Sequence, residues 1–452
     1  VSIGLADMGA HVSAVPLVRR QGRVVQVVGT VIEADLPGVA VGELTEVGPT
    51  LAEVIGFRGH RALLMPLGSL EGVSHGSTVR VRSTQLAVAV GPGLLGRVVD
   101  PLGAPMDGRP LSDVPGRRGL QANAPDPMKR HLIEAPLPTG VRALDGLLTI
   151  GTGQRVAVMA GSGVGKSTLM GMVAKNAKAD INVVALIGER GREVREFLER
   201  DLGPAGLARS VVVLATSDAS PVLQVKAMSA ALAIAEHFRD EGQRVLMMVD
   251  SLTRLAMAQR QIGLSAGEPP TTKGYTPSVF SMMPRLLERA GPGAGKGSIT
   301  GLFTVLVEGD DMDDPVADTV RGIVDGHIVL SRKLASHGHY PAIDILQSVS
   351  RTMPSTVTPE QVAWANRVRA LIATYRENEE LIRLGAYKPG TDPEVDAAIQ
   401  ANPAVNAYLR QATDDATHWN GVLQGLGRLA VDSAPRGGGL AGVRRARRGG
   451  EA

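Results

Sequence analysis

The stretch Ala160-Gly-Ser-Gly-Val-Gly-Lys-Ser-Thr168 constrains what this chain can fold into more than any other. It follows an apolar run, Arg155 to Ala160, and precedes a helical pattern, Leu169 to Lys175. Strand, glycine loop and helix in that order form the context of a phosphate-binding loop. Glycines let successive N–H groups turn inward toward phosphate oxygens. The helix start adds its partial positive charge at the same place. The spacing assigns Gly161, Ser162, Gly163, Val164, Gly165, Lys166, Ser167 and Thr168 to the nucleotide. Lys166 is expected to reach the β- and γ-phosphates, with the Ser167 hydroxyl a ligand for Mg²⁺. Ala160 stands where the usual pattern has its first glycine, a position that needs only a small side chain.

The rest of the composition narrows the class. A chain of 452 residues suggests two to four domains around substantial cores. It contains no cysteine, which excludes disulfides, thiol catalysis and cysteine-based metal sites. No apolar run approaches the roughly 20 residues needed to cross a bilayer. No basic segment followed by an apolar core marks a secretory signal either, so a cytoplasmic protein is expected. The formal charge is +3, but residues 436–452 hold five arginines and one glutamate. That net +4 leaves −1 for the remainder, so the body is not basic enough to be read as a nucleic-acid binder. The glycine-rich tail, 434–452, has no apolar face and reads as disordered.

Taken in order, residues 1–16 are weakly patterned and expected to be mobile. From Leu17 to Val90, short β-branched runs alternate with Gly and Pro turns, as in a small closed β-barrel. Nucleic-acid-binding barrels stack bases on aromatic side chains. Here Phe57 is the only aromatic of Phe, Tyr or Trp type in the first 196 positions, so a structural or assembly role is expected. Residues 91–150, rich in Gly and Pro, read as a linker into the core. From 151 to 351 apolar strands alternate with helices, which indicates a parallel α/β sheet covered on both faces. The strands fall near Asn182–Ile187, Val211–Ala215, Val245–Val249, Ile299–Val307 and His327–Leu330. Ser220 before Pro221 signals a helix start. From 352 to 433 the pattern is helical, and Thr358, Asp392 and Asn402, each before a proline, predict three helix starts.

Hydrolysis needs parts beyond the loop. Arg244-Val-Leu-Met-Met-Val-Asp250 is a buried strand ending in an aspartate, the Walker B pattern, and places Asp250 in the metal's shell. Glu189, where a strand gives way to a loop, is a candidate to polarise the attacking water. By composition alone, Arg190-Gly-Arg-Glu193 and its successors also read as a solvated, charged helix start. Arg351, just past an apolar strand, offers a cation for the transferred phosphoryl group, although a lone arginine there is usually a surface ion pair. His337 and His339 lack a third ligand and read as loop.

Four motifs in order carry a resemblance: the phosphate loop, Gly188-Glu-Arg-Gly-Arg-Glu193, Asp250-Ser-Leu-Thr-Arg254 and Pro341-Ala-Ile-Asp-Ile-Leu-Gln-Ser-Val-Ser-Arg351. Together they resemble the catalytic subunits of rotary ATP synthases. Gly267 to Phe280, Glu308-Gly-Asp-Asp-Met312 and Asp325 to Leu334 are more similar still to the type III secretion ATPases, and closest to the flagellar export branch. The resemblance spans roughly residues 20 to 400. It implies a RecA-like P-loop core, with Glu189 the catalytic carboxylate and Arg190 beside it near the γ-phosphate. It also implies that Arg254 lies in the same pocket, that Arg351 is a finger reaching the neighbouring subunit's site, and that Tyr340 packs on the adenine ring. The acidic segment that ATP synthase subunits present to their shaft is absent; Leu384 to Asp396 stands in its place. The function so implied is Mg²⁺-dependent ATP hydrolysis by a homohexamer energising flagellar protein export. The implied location is at the inner-membrane export apparatus, and no nucleic acid is implied. Expected partners are an export regulator, a central stalk protein, the export gate, and substrates with their chaperones. The alternatives are an injectisome secretion ATPase, an RNA-dependent translocase related to Rho, and a non-catalytic nucleotide-binding ring subunit.

Overall fold

The computed structural model describes residues 20–83, 86–307 and 313–433. The expectations for 1–16, for 308–312 and for the tail 434–452 therefore lie outside the described residues.

Six strands close a barrel: β1 (Gln21–Val28), β2 (Val31–Asp35), β3 (Leu44–Val47), β4 (Thr50–Arg58), β5 (Arg61–Pro66) and β6 (Thr78–Ser83). Their order is β1-β2-β5-β4-β3-β6, with β6 returning to β1. Alternation along each strand fills the interior with Val24, Ile32, Ala34, Val54, Leu64 and Val79. The opposite face of the same strands is also apolar where the barrel meets the core: Val31, Leu63, Met65 and Leu67 pack against Val222 and Ile262. Inside that contact Lys226 donates to Glu53 at 2.8 Å. The next strand, β7 (Ala87–Val90), was expected to end the barrel. It pairs instead with β9 (Gly116–Gly119), because the barrel is already closed. Nor is the stretch between them only a linker: β8 (Arg97–Val99) forms the edge of the central sheet.

That sheet carries nine strands, and eight of them run in the order β17-β16-β10-β15-β13-β11-β12-β8. They are β10 (Arg155–Ala160), β11 (Ile181–Glu189), β12 (Ser210–Thr216), β13 (Arg244–Asp250), β15 (Ser298–Leu306), β16 (Gly326–Leu330) and β17 (Ile343–Ser350), besides β8. The short β14 (Gly291–Pro292) pairs antiparallel with β15, and β17 pairs antiparallel with β16, so the expected parallel sheet is parallel from β16 through to the β8 edge and antiparallel only at β14 and β17. The period of two divides each strand between two cores. Ala157, Met159, Val183 and Val249 face the helices Pro221–Asp240, Leu252–Ala266 and Pro277–Leu287. Val156, Val158, Val184 and Met248 face the helix Lys166–Asn176 and the C-terminal helices. All nine residues of β11 are buried, as a strand covered on both faces must be.

The C-terminal helices are Pro359–Arg383, Pro393–Leu409 and Trp419–Asp432. Thr358 and Asp392 cap the first two, accepting from Gln361 N and from Glu394 N and Val395 N. The start expected at Asn402 does not exist: Pro403 lies inside the second helix. A proline there removes one hydrogen bond. Val395 and Ala398 before it, and Val405, Tyr408 and Leu409 after it, are all buried, and their packing carries the helix through. No described helix is long and apolar enough to cross a membrane.

Candidate nucleotide site

The sheet's carboxyl ends assemble the site, as open α/β sheets generally do. Strand β10 stops at Ala160, and the chain turns through Gly163 and Gly165, at φ of 78° and 100°, into the helix Lys166–Asn176. Those positive φ values are ones that only glycine adopts cheaply. Ser167 is exposed in the first turn of that helix. Lys166 donates to Asp250 Oδ1, and its Nζ lies 4.0 Å from Glu189 Oε1. Asp250 ends β13, two strands away, and its Oδ1 also accepts from Thr304 Oγ1 at 2.8 Å.

Glu189 arrives by a local irregularity. The pairing of β11 with β12 skips Gly188, leaving it as a bulge at φ 68°. A bulge re-aims the side chain that follows it, here toward Lys166 and Arg254. A side chain at 188 would be strained at that φ and would crowd Arg254, its Cβ 3.0 Å from Arg254 Cδ. Arg254, on the helix capped by Ser251, donates to the Gly188 carbonyl and to Glu189 Oε2 at 3.4 Å. Glu189 is 6% exposed. Burial, and next the Asp250 charge, push its carboxyl up to about 7, against the opposing pull of Lys166 and Arg254. Its Oε1 is buried without a hydrogen bond.

Tyr340 is half-exposed, with its ring edge 3.7 Å from where a Cβ on Gly165 would lie. An aromatic face beside the loop is suited to a base stacking on it. The structure thus brings Lys166, Ser167, Glu189, Asp250, Arg254 and Tyr340 to one end of the sheet. Arg190 lies at the same end, directly after Glu189, but its side chain is outside the cluster: it is largely exposed and pairs with Glu193 at 3.7 Å. Arg351 stands at the opposite end. Ser350 pairs with Gly326, which pairs with Val156 at the start of β10, whereas the loop leaves β10 at Ala160. At least about 13 Å of strand separates the two edges. Thr304 was missed in the sequence. Its signal was a hydroxyl near the carboxyl end of a buried strand, which must find a partner there, although Ser298 and Thr300 in the same strand carry hydroxyls too.

The donor set fits a hydrated divalent cation: a hydroxyl at a helix start, the Asp250 carboxylate, and an unbonded carboxylate oxygen on Glu189. Among the described residues no group of three His, Cys, Asp or Glu is placed to hold a metal by protein ligands alone. His337 turns to the Lys333 carbonyl at 2.7 Å.

Comparison with known proteins agrees with this geometry. Residues 140–350 match the nucleotide-binding domain of the ATP synthase alpha/beta family, and 24–81 match that family's beta-barrel domain. Residues 357–428 match the C-terminal domain of the T3SS ATPase EscN. The type 3 secretion system ATPase of Xanthomonas euvesicatoria is 52% identical over 421 residues, 92% of this chain and 95% of its own. The chain belongs to the type III secretion and flagellar export ATPase family. It is a P-loop ATPase. The flagellum-specific ATP synthase of Bacillus subtilis (strain 168) is also 52% identical, over 88% of this chain and 92% of its own. Assembled EscN from the enteropathogenic E. coli type III secretion system superposes with a TM-score of 0.87 at 45% identity, over 90% of this chain and 100% of that one. The preference for the flagellar branch finds no support in equal identities. The secretion-type C-terminal match and the EscN structures weigh toward the injectisome alternative for this export ATPase.

Proposed function

We propose that this chain hydrolyses ATP in a ring of identical subunits to drive protein export through a type III apparatus of the injectisome kind. The observation that carries the reading is Glu189: buried, held near neutrality and carrying a carboxylate oxygen with no hydrogen bond. The loop N–H groups of residues 161–168 and Lys166 hold the triphosphate. Tyr340 holds the base. Ser167 and Asp250 would hold a Mg²⁺, which would supply positive charge to neutralise the phosphates. Glu189 accepts a hydrogen bond from water in line with the γ-phosphate, and Arg254 fixes that carboxylate's orientation. Arg190, on the surface beside it, waits for the nucleotide or the neighbour.

Because Arg351 lies at the far end of the sheet, it serves the site of the next chain, where a cation stabilises the charge spread over the phosphoryl oxygens. A ring follows from one chain carrying both halves. EscN has been solved with its central stalk EscO; an equivalent stalk is the partner proposed for this ATPase. ATPase activity measured against protein concentration tests the assembly. A steep, cooperative onset is expected, and specific activity that stays constant down to dilute monomer would overturn the shared site.

A further inference from the structure

The far end of the sheet contains a buried side chain that the nucleotide chemistry does not use. Gln154 immediately precedes β10 and is fully buried. All its polar atoms are engaged. Its Oε1 accepts from Gly151 N at 2.8 Å and from Thr352 Oγ1 at 2.6 Å. Its Nε2 donates to the Asp325 carbonyl at 3.1 Å and to Ser350 Oγ at 3.3 Å. A backbone N–H on one side and a carbonyl on the other leave only one orientation of the amide. Arg351 N donates to that same Asp325 carbonyl at 3.0 Å. The glutamine thus grips the residue on either side of Arg351 and shares the acceptor of Arg351 itself.

The surroundings are built to keep this grip. Asp325 cannot drift, because its carboxylate accepts from Arg155 N, Nε and Nη2 at 3.0 to 3.1 Å. Residue 326 must be glycine: a Cβ there would lie 2.6 Å from the Val349 carbonyl and 3.0 Å from Gln154 Nε2. Gln154 itself is fixed to the middle of the sheet, its carbonyl accepting from Gly301 N at 2.9 Å. It is the residue before Arg155, so it moves with the strand whose other end, Ala160, opens the phosphate loop.

We infer that Gln154 is a positioning residue for Arg351, through which each chain's phosphate-loop strand aims the arginine that the chain presents to its neighbour's nucleotide. This rests on the reading of Arg351 as a finger acting between chains. A finger works only where it meets the developing charge, and a displacement of about 1 Å costs on the order of 10²-fold in rate. Its backbone therefore needs a rigid support, and a four-bonded buried amide supplies one.

The test uses full-length chains in mixed rings. Gln154→Ala should lower kcat at least about tenfold while KM for ATP stays within about twofold. Thr352→Val, which removes one bond and leaves the amide in place, should do the same more weakly. It stands in if Gln154→Ala fails to fold by thermal melting. Mixed with Lys166→Ala chains, Gln154→Ala should regain hydrolysis, because its intact loop meets an intact finger. Mixed with Arg351→Ala it should regain none, since neither chain offers a working finger. The reverse pattern, or recovery with neither partner, overturns the proposal. Lys166→Ala mixed with Arg351→Ala is the control: recovery there supports the finger, and absence of recovery removes both the finger and the inference built on it.

Discussion

The two ends of the central sheet are made by the same strands and differ in every chemical respect. At the carboxyl ends Lys166, Glu189, Asp250, Arg254 and Thr304 form one cluster of ion pairs and hydrogen bonds within one chain, with both carboxylates buried and Glu189 Oε1 left without a hydrogen bond. At the other end Arg351 is exposed, its N–H held by the Asp325 carbonyl and its neighbours' hydroxyls by Gln154. Charges buried in a cluster must be paired where they are made, so the catalytic carboxylates cannot be borrowed from elsewhere. An exposed arginine on a stiff support has the opposite character, that of a group offered outward. On the proposed reading the molecule holds the two halves of one site at opposite edges, and a second copy of the chain completes it.

The sharpest break of this contrast is Lys166→Ala. It removes the ammonium that balances Asp250 and Glu189 and that would meet the phosphates, so turnover in a steady-state phosphate-release assay should vanish. Retention of a tenth of wild-type turnover would place the phosphate site elsewhere. Arg351→Ala attacks the other end. It should cost about 10³–10⁵ in rate while leaving affinity for a nonhydrolysable ATP analogue unchanged. Weakened binding in isolated monomers would mean that Arg351 serves its own chain. Glu189→Gln comes next, with at least about 10²-fold lost in kcat and binding by isothermal titration near wild type. Parallel loss of both would make Glu189 a structural partner of Lys166 and Arg254 only.

What could be read in the sequence follows the same divide between local and distant order. The phosphate loop was legible because strand, glycines, lysine and helix are contiguous, and Asp250 because five apolar residues lead into it. Glu189 was legible only with the help of resemblance. What makes it special, the bulge at Gly188, depends on pairing with β12 twenty-odd residues away. Gln154 gave no signal at all: its four partners are spread from Gly151 to Thr352 and meet only once β10, β16 and β17 align. Pro403 misled for the reverse reason, since a local rule for helix starts yielded to packing on both sides of it. Likewise β7 has the pattern of a barrel strand, and only the closure of β6 on β1 excludes it.

The smallest effect expected is also the one that separates catalysis from stability at the same carboxylate. On the proposed reading Glu189 must be ionised to polarise the attacking water with its negative charge, and burial, then the charge of Asp250, raise its carboxyl to about 7 from an ordinary 4.5. Turnover should therefore climb about tenfold per pH unit below that midpoint and level off above pH 8. Stability runs the other way. Between pH 4.5 and 7 the folded chain keeps a proton that the unfolded chain has released, so this group's contribution is full below 4.5 and is lost as pH rises through 7. Other titrating groups add their own slopes, so the comparison is with Glu189→Gln, which cannot ionise. Denaturant midpoints of wild type minus variant should fall across that window while wild-type turnover rises across it. A wild-type rate flat from pH 6 to 8, or a difference in midpoints that does not change with pH, would show that Glu189 is ionised throughout. Its burial would then be fully balanced by Lys166 and Arg254.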